Sequence, residues 1–287
     1  MKVFSLSIEP EKLSFAAPTN HAYAADLFGD KGFCVIKGFL KPEEVNALKE
    51  RYRSQEHFHQ TPGKDYHKMS VCYFYNQKTW KRDEDVYKIV RKVYAIKNQI
   101  ALQPNSDQFM LSYCYRHRIN PENTEHLIDH QLDHTFIRIA KYKGGEGQFP
   151  HFDYPGELQC IIPLTKRGID YDAGGLVLEK TATTPEFDVD SLVNPGDLII
   201  LNAYKKRHSV KPVVCSGEQI GRLHVFMPTI PEYIFARGKG YYYFQDQPFK
   251  LQFSLPASGV QKAQYYVQHF WALLRGQAKP IDEGYKG

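Results

Sequence analysis

Between positions 158 and 213 the chain is built of short apolar runs, each cut off by Gly, Pro or Asp. They are Leu158-Gln159-Cys160-Ile161-Ile162-Pro163-Leu164, Ala173-Gly174-Gly175-Leu176-Val177-Leu178-Glu179, Val193-Asn194-Pro195-Gly196-Asp197-Leu198-Ile199-Ile200-Leu201 and His208-Ser209-Val210-Lys211-Pro212-Val213. Brief β-branched segments separated by turn residues predict successive strands of a barrel or jelly roll.

Two features flank these strands. His151-Phe152-Asp153 has the form H-x-D. A strand puts residues i and i+2 on one face, so one short edge can aim an imidazole and a carboxylate at the same point. His208, which opens the last of the runs, offers a second imidazole. Two histidines and one carboxylate on one face of a metal leave its other positions open, the arrangement of non-haem Fe(II) oxygenases. An isolated H-x-D is weak in a chain with 12 histidines; its place among the strands gives it weight.

Taken in order, H-x-D, a Gly-Gly strand, Pro195-Gly196-Asp197-Leu198-Ile199-Ile200, His208-Ser209-Val210-Lys211-Pro212-Val213 and the late Arg222 resemble the core of the Fe(II)- and 2-oxoglutarate-dependent dioxygenases. The resemblance covers 135–230 directly. It implies an α+β, mainly β chain: a double-stranded β-helix (jelly-roll, cupin-like) core flanked by N-terminal helices and a C-terminal helix. It also implies Fe(II) held by His151, Asp153 and His208, with 2-oxoglutarate and O2 as cosubstrates. Oxoglutarate would be decarboxylated to succinate and CO2 while a substrate C–H bond is hydroxylated, or redirected to desaturation or ring closure. The far carboxylate of oxoglutarate needs a buried cation, and Arg222 stands where the family's arginine stands. The family often has R-x-S there. Here the triplet is Arg222-Leu223-His224, and His224 would take the place of the hydroxyl. Tyr142, on the strand before H-x-D, matches a cosubstrate-touching tyrosine. A retained Asp153 favours hydroxylation over halogenation, for which the family puts a small residue there.

The rest of the chain reads as support. Gly32 to Phe39 is an apolar, glycine-bounded strand, and Pro42-Glu43-Glu44 opens a helix with Val45, Leu48 and Tyr52 inward. Residues 85–103 form a helix whose buried stripe is Val86, Ile89, Val90, Val93, Tyr94 and Ile96, and 135–142 alternates as a strand. Residues 55–67 read as a loop, which is favoured over a His57/His59 ligand pair. His126, His130 and His134 fall at helical spacing and read as a polar face, since no H-E-x-x-H accompanies them. The aromatic stretch 229–255 packs as sheet or pocket wall, and Ser258–Arg275 is an amphipathic helix. With no repeat and no low-complexity linker, the 287 residues read as one domain: support over 1–134, the metal-binding core over 135–230, and an aromatic segment with a helix over 231–287.

Composition excludes several classes. The net charge of +5 is scattered rather than striped, which argues against nucleic acid and suits a small-molecule substrate. Five widely spaced cysteines without C-x-x-C argue against a disulfide framework and suit a reducing, cytoplasmic compartment. The N-terminus does not read as a signal peptide, and no run is long enough to span a bilayer. Two alternatives stay open: an iron oxygenase of this fold that uses no oxoglutarate, and a non-catalytic metal-binding jelly roll. Oligomeric state is not legible.

Overall fold

The structure, a computed structural model, describes residues 17–54, 58–61, 65–75, 83–103, 110, 114, 118–132, 136–153, 158–181, 184–228, 241–244 and 247–250. The elements are α1 (Ala17–Phe28), β1 (Phe33–Ile36), α2 (Pro42–Arg51), β2 (His59–Gln60), β3 (Ser70–Tyr75), α3 (Glu84–Ala101), α4 (Thr124–Leu132), β4 (Phe136–Tyr142), β5 (Gln148–His151), β6 (Leu158–Pro163), β7 (Ala173–Leu178), β8 (Phe187–Asp188), β9 (Leu198–Asn202), β10 (His208–Val214), β11 (Arg222–Pro228), β12 (Tyr241–Phe244) and β13 (Gln247–Lys250). β12 and β13 form a hairpin of their own. The predicted terminal helix Ser258–Arg275 lies outside the described residues.

Two antiparallel sheets carry the rest. The larger runs β1-β9-β6-β11-β4-β3-β2, the smaller β5-β10-β7-β8. The chain is mainly β with helical additions, as the punctuated runs predict. Alternation explains how the larger sheet is covered on both faces. On β11, Leu223, Val225 and Met227 join the helices in one core with Ile137, Ile139, Cys160 and Ile162. Phe226 points the other way, toward Leu176 and Leu178 of the smaller sheet. Ala140 and Tyr142 likewise meet Val210 and Val213. Strands buried on both sides read as near-continuous apolar runs, which is why the sequence there is so uniformly apolar.

The helices obey the same logic. α3 buries every residue of its predicted stripe, and its first turn is capped by Asp83, whose carboxylate accepts from the Val86 N–H at 3.1 Å. Asp83 also takes Arg51 Nη1 and the Tyr52 hydroxyl, both at 2.6 Å, so α2 is tied to α3. α1 is a correction: the sequence reading begins this region with a strand, and a helix precedes it. Its Tyr23, Ala24 and Leu27 are buried, but its apolar pattern is weak and its first turn carries no acid. On the other side of the sheet, the Pro195-Gly196-Asp197 turn is fastened to β1. Asp197 accepts from the Gly38 and Asn194 N–H groups at 2.8 Å and pairs with Lys37 at 2.8 Å.

His126 and His130 lie on α4, His126 in solvent, matching the polar-face reading. His134 and His57 lie outside the described residues. No helix among the described residues is long and apolar enough to cross a membrane, and the five cysteines are free thiols.

Candidate metal centre

β5 and β10 are neighbours, and their register sets His151 directly opposite His208. Asp153 sits two residues past His151, where its N–H donates to Ala203 O at 3.1 Å and fixes the turn leaving β5. One ligand atom from each of His151, Asp153 and His208 lies within 4.8 Å of the others. His151 Nε2 is 3.6 Å and His208 Nε2 3.3 Å from the Asp153 carboxylate.

Hydrogen bonding decides which nitrogens face inward. His151 Nδ1 is 2.6 Å from Phe149 O, and His208 Nδ1 is 3.0 Å from Lys206 O. A carbonyl only accepts, so each Nδ1 carries the proton. In the neutral rings both Nε2 lone pairs therefore point at a carboxylate. Three electron-pair donors aimed at one spot repel unless a cation lies among them, and backbone-anchored imidazoles are the usual means of orienting metal ligands. Without metal, a proton fills that role in part. Burial works against charge on His208, but the hydrogen bond and charge of Asp153 outweigh it and raise its pKa. Burial, then the neighbouring His208, lowers that of His151.

Gln159, one of the β6 residues on the inner face, donates its amide to Asp153 Oδ2. Sequence reasoning sees Gln159 only as a polar interruption of an apolar strand. Partners of this kind hold a ligating carboxylate in place, and their loss typically weakens metal affinity tenfold to a hundredfold. Gln159→Leu is expected to show a loss of about that size in a metal titration, with its melting temperature little changed.

Farther along the same inner face lie the residues expected to meet a cosubstrate. Arg222, His224 and Tyr142 are all buried. The His224 ring lies parallel to the Tyr142 ring, centroids 5.7 Å apart, and Tyr142 OH reaches Gln148 Oε1 at 3.4 Å. Arg222 faces the space between the sheets, but its guanidinium is already engaged. Nε and Nη2 donate to the two Asp190 oxygens at 2.6 and 3.0 Å, and Nη1 is 3.1 Å from His224 Nδ1. The Tyr171 hydroxyl adds a third hydrogen bond to Asp190, at 2.8 Å. Gly175 makes room for it: a Cβ there would sit 2.1 Å from Asp190 Oδ2. Burial opposes the Arg222 charge, and Asp190 more than offsets it.

The fold is similar to that of a prolyl-4-hydroxylase. The solved structure of that enzyme, from Pseudomonas putida, matches with a TM-score of 0.50 at 17% identity, over 73% of this chain and 97% of that one. An oxidoreductase of the 2OG-Fe(II) oxygenase family from Burkholderia pseudomallei matches at 0.47 and 12% identity, over 73% and 89%. A prolyl hydroxylase from Trichoplax adhaerens, solved with a hypoxia inducible factor peptide, matches at 0.46 and 15%, over 78% and 94%. At these identities the likeness is one of fold. No protein-family model matches the sequence, and neither does any curated protein.

Two features escaped the sequence reading altogether. Asp190 belongs to no motif and lies 32 residues before its partner. Arg138, on β4, looks like a polar strand residue, yet it shares the inner face with Tyr142 and lies 3.9 Å over the Phe226 ring.

Proposed function

We propose that the protein is an Fe(II)- and 2-oxoglutarate-dependent oxygenase of a small molecule, with the two facing sheets as a double-stranded β-helix. The observation that carries this reading is the convergence of two Nε2 lone pairs and a carboxylate on one point, beside an inner sheet face of buried side chains. That donor set fits Fe(II). His151, Asp153 and His208 would hold it. When bound, the iron with 2-oxoglutarate and O2 supplies decarboxylation to succinate and CO2 together with oxidation of a substrate C–H bond.

The protein's own part is to bind and to exclude. The Phe149 and Lys206 carbonyls hold the two imidazoles, and Gln159 holds Asp153. Tyr142, His224 and Arg222 wall the inner end and would face the cosubstrate. Phe149 and Phe152, more than a third exposed on either side of His151, give the site an apolar rim for a substrate.

The test is succinate release from 2-oxoglutarate with Fe(II) under air, scanned over a metabolite panel. Metal-dependent succinate that rises with one class of compound is the expected result. Absence of succinate, with the metal bound and across the whole panel, would overturn the proposal. The engagement of Arg222 by Asp190 favours a second reading, an iron oxygenase without oxoglutarate. Oxygen consumed without succinate would establish that one instead.

A further inference from the structure

Among the described residues, Arg222 and Arg138 carry guanidinium groups on the inner face, and they differ in their partners. Arg222 is matched by Asp190 on two nitrogens, and Asp190 is itself sealed in by Tyr171. Both members of the pair are 3–4% exposed at the side chain. A second carboxylate brought to Arg222 would be placed beside a buried anion that already neutralises it, and like charges in a dry space repel strongly.

Arg138 is the opposite case. Its register partner on β11 is Phe226, and His224 is the next inward residue of β11, opposite Ala140. Arg138 is thus diagonal to His224, about 7–8 Å away in a regular ladder. Its guanidinium lies on the Phe226 ring, but its Nε is buried with no hydrogen-bond acceptor. Among the described residues no carboxylate pairs with it. A buried donor on a charged group is costly to leave unmet, and an acceptor brought by a ligand accounts for it.

His224 points to the same ligand. Arg222 Nη1 only donates, so His224 Nδ1 accepts and the ring proton sits on Nε2. Burial first, then the charges of Arg222 and Arg138, keep the ring neutral. This inner face thus presents, among the described residues, a guanidinium with no carboxylate partner and a neutral N–H, both donors, at neighbouring positions.

Building on the oxygenase reading above, we propose that the distal carboxylate of the 2-oxo acid cosubstrate is received by Arg138 and the Nε2–H of His224. Arg222 is then the structural partner of Asp190 that holds His224 Nδ1, and it does not receive the carboxylate itself. The Arg–carboxylate fork supplies the preference for a dicarboxylic 2-oxo acid.

The experiment uses full-length protein loaded with Zn(II), which is redox-inert, and titrates 2-oxoglutarate and 2-oxopentanoate by calorimetry. The second ligand keeps the 2-oxo acid and lacks the distal carboxylate. Wild type is expected to prefer 2-oxoglutarate. Arg138→Met should weaken 2-oxoglutarate about tenfold to a hundredfold and leave 2-oxopentanoate unchanged. Arg138→Lys, which keeps a charge without the fork, should recover part of the preference, and it decides the matter if the Met variant does not fold. In proton–nitrogen NMR, the His224 Nε2–H signal should shift on adding 2-oxoglutarate and stay put with 2-oxopentanoate. Unchanged 2-oxoglutarate affinity in both variants, or equal losses for the two ligands, overturns the assignment to Arg138 while the oxygenase reading stands. Binding of neither ligand by the metal-loaded wild type overturns the oxygenase reading, and the assignment with it.

Discussion

Asp190→Ala is expected to cost about 3–5 kcal/mol of folding stability, the usual result of stripping one partner from a buried ion pair. Three donors lose their acceptor at once: Nε and Nη2 of Arg222 and the hydroxyl of Tyr171. The Arg222 charge, formerly matched, is left in a space that water does not reach. Against a total stability of about 5–15 kcal/mol for an ordinary domain, that is a large fraction. Urea unfolding should show a lower midpoint with an unchanged slope. Removing both charges should be far milder. Asp190→Leu with Arg222→Met is expected to recover most of the loss, since a buried pair replaced whole by apolar groups is often near neutral. A loss below about 1 kcal/mol in Asp190→Ala would mean that the pair is wet or optional.

His208→Ala is expected to abolish specific metal binding, a loss of at least about a hundredfold measured by titration against a competing chelator. Two donors then remain, His151 and Asp153, both less buried than the lost His208. The wild-type site should also bind metal more weakly as the pH falls. The sign follows from the protons. Metal must displace the proton that Asp153 encourages on His208, whose pKa is raised, whereas that of His151 is lowered. Affinity is therefore full above the raised His208 value. Below it, affinity should drop by about one decade per pH unit, with a one-proton slope over the first stretch. A pH-independent affinity from neutral to mildly acid conditions would contradict this picture. So would a His208→Ala protein that still takes up the ion with wild-type strength.

How much of this was written in the chain can be said residue by residue. The strands of the core were legible because each is brief, apolar and stopped by Gly, Pro or Asp. His151 and Asp153 were legible as a pair because H-x-D stood at the edge of that set of strands, although Asp153 lies two residues past the end of β5 and not on it. The second half of the site was not. An ion pair between Arg222 and Asp190 depends on how the segment after β8 of the smaller sheet turns toward the larger one, and no periodicity encodes that. Gly175 gives a trace of it, since a glycine with φ of 110° in mid-strand signals a close approach, but the sequence does not say of what. Arg138 was invisible for a different reason. On an alternating strand a polar residue reads as solvent-facing, and β4 is covered on both sides. α1 was missed because its inward residues are small or aromatic rather than a clean apolar stripe.

The fastening of β1 beside β9 has a consequence for synthesis. Lys37 and Asp197, which lock the two together, lie 160 residues apart. A ribosome adding about 5–20 residues per second needs roughly 8–30 seconds to cover that distance. Throughout that interval Phe33-Cys34-Val35-Ile36 has left the exit tunnel without its neighbour, as an apolar ribbon with open amides. The nascent chain is thus at its stickiest before the candidate metal ligands are all translated, and that is the window in which a chaperone would matter most.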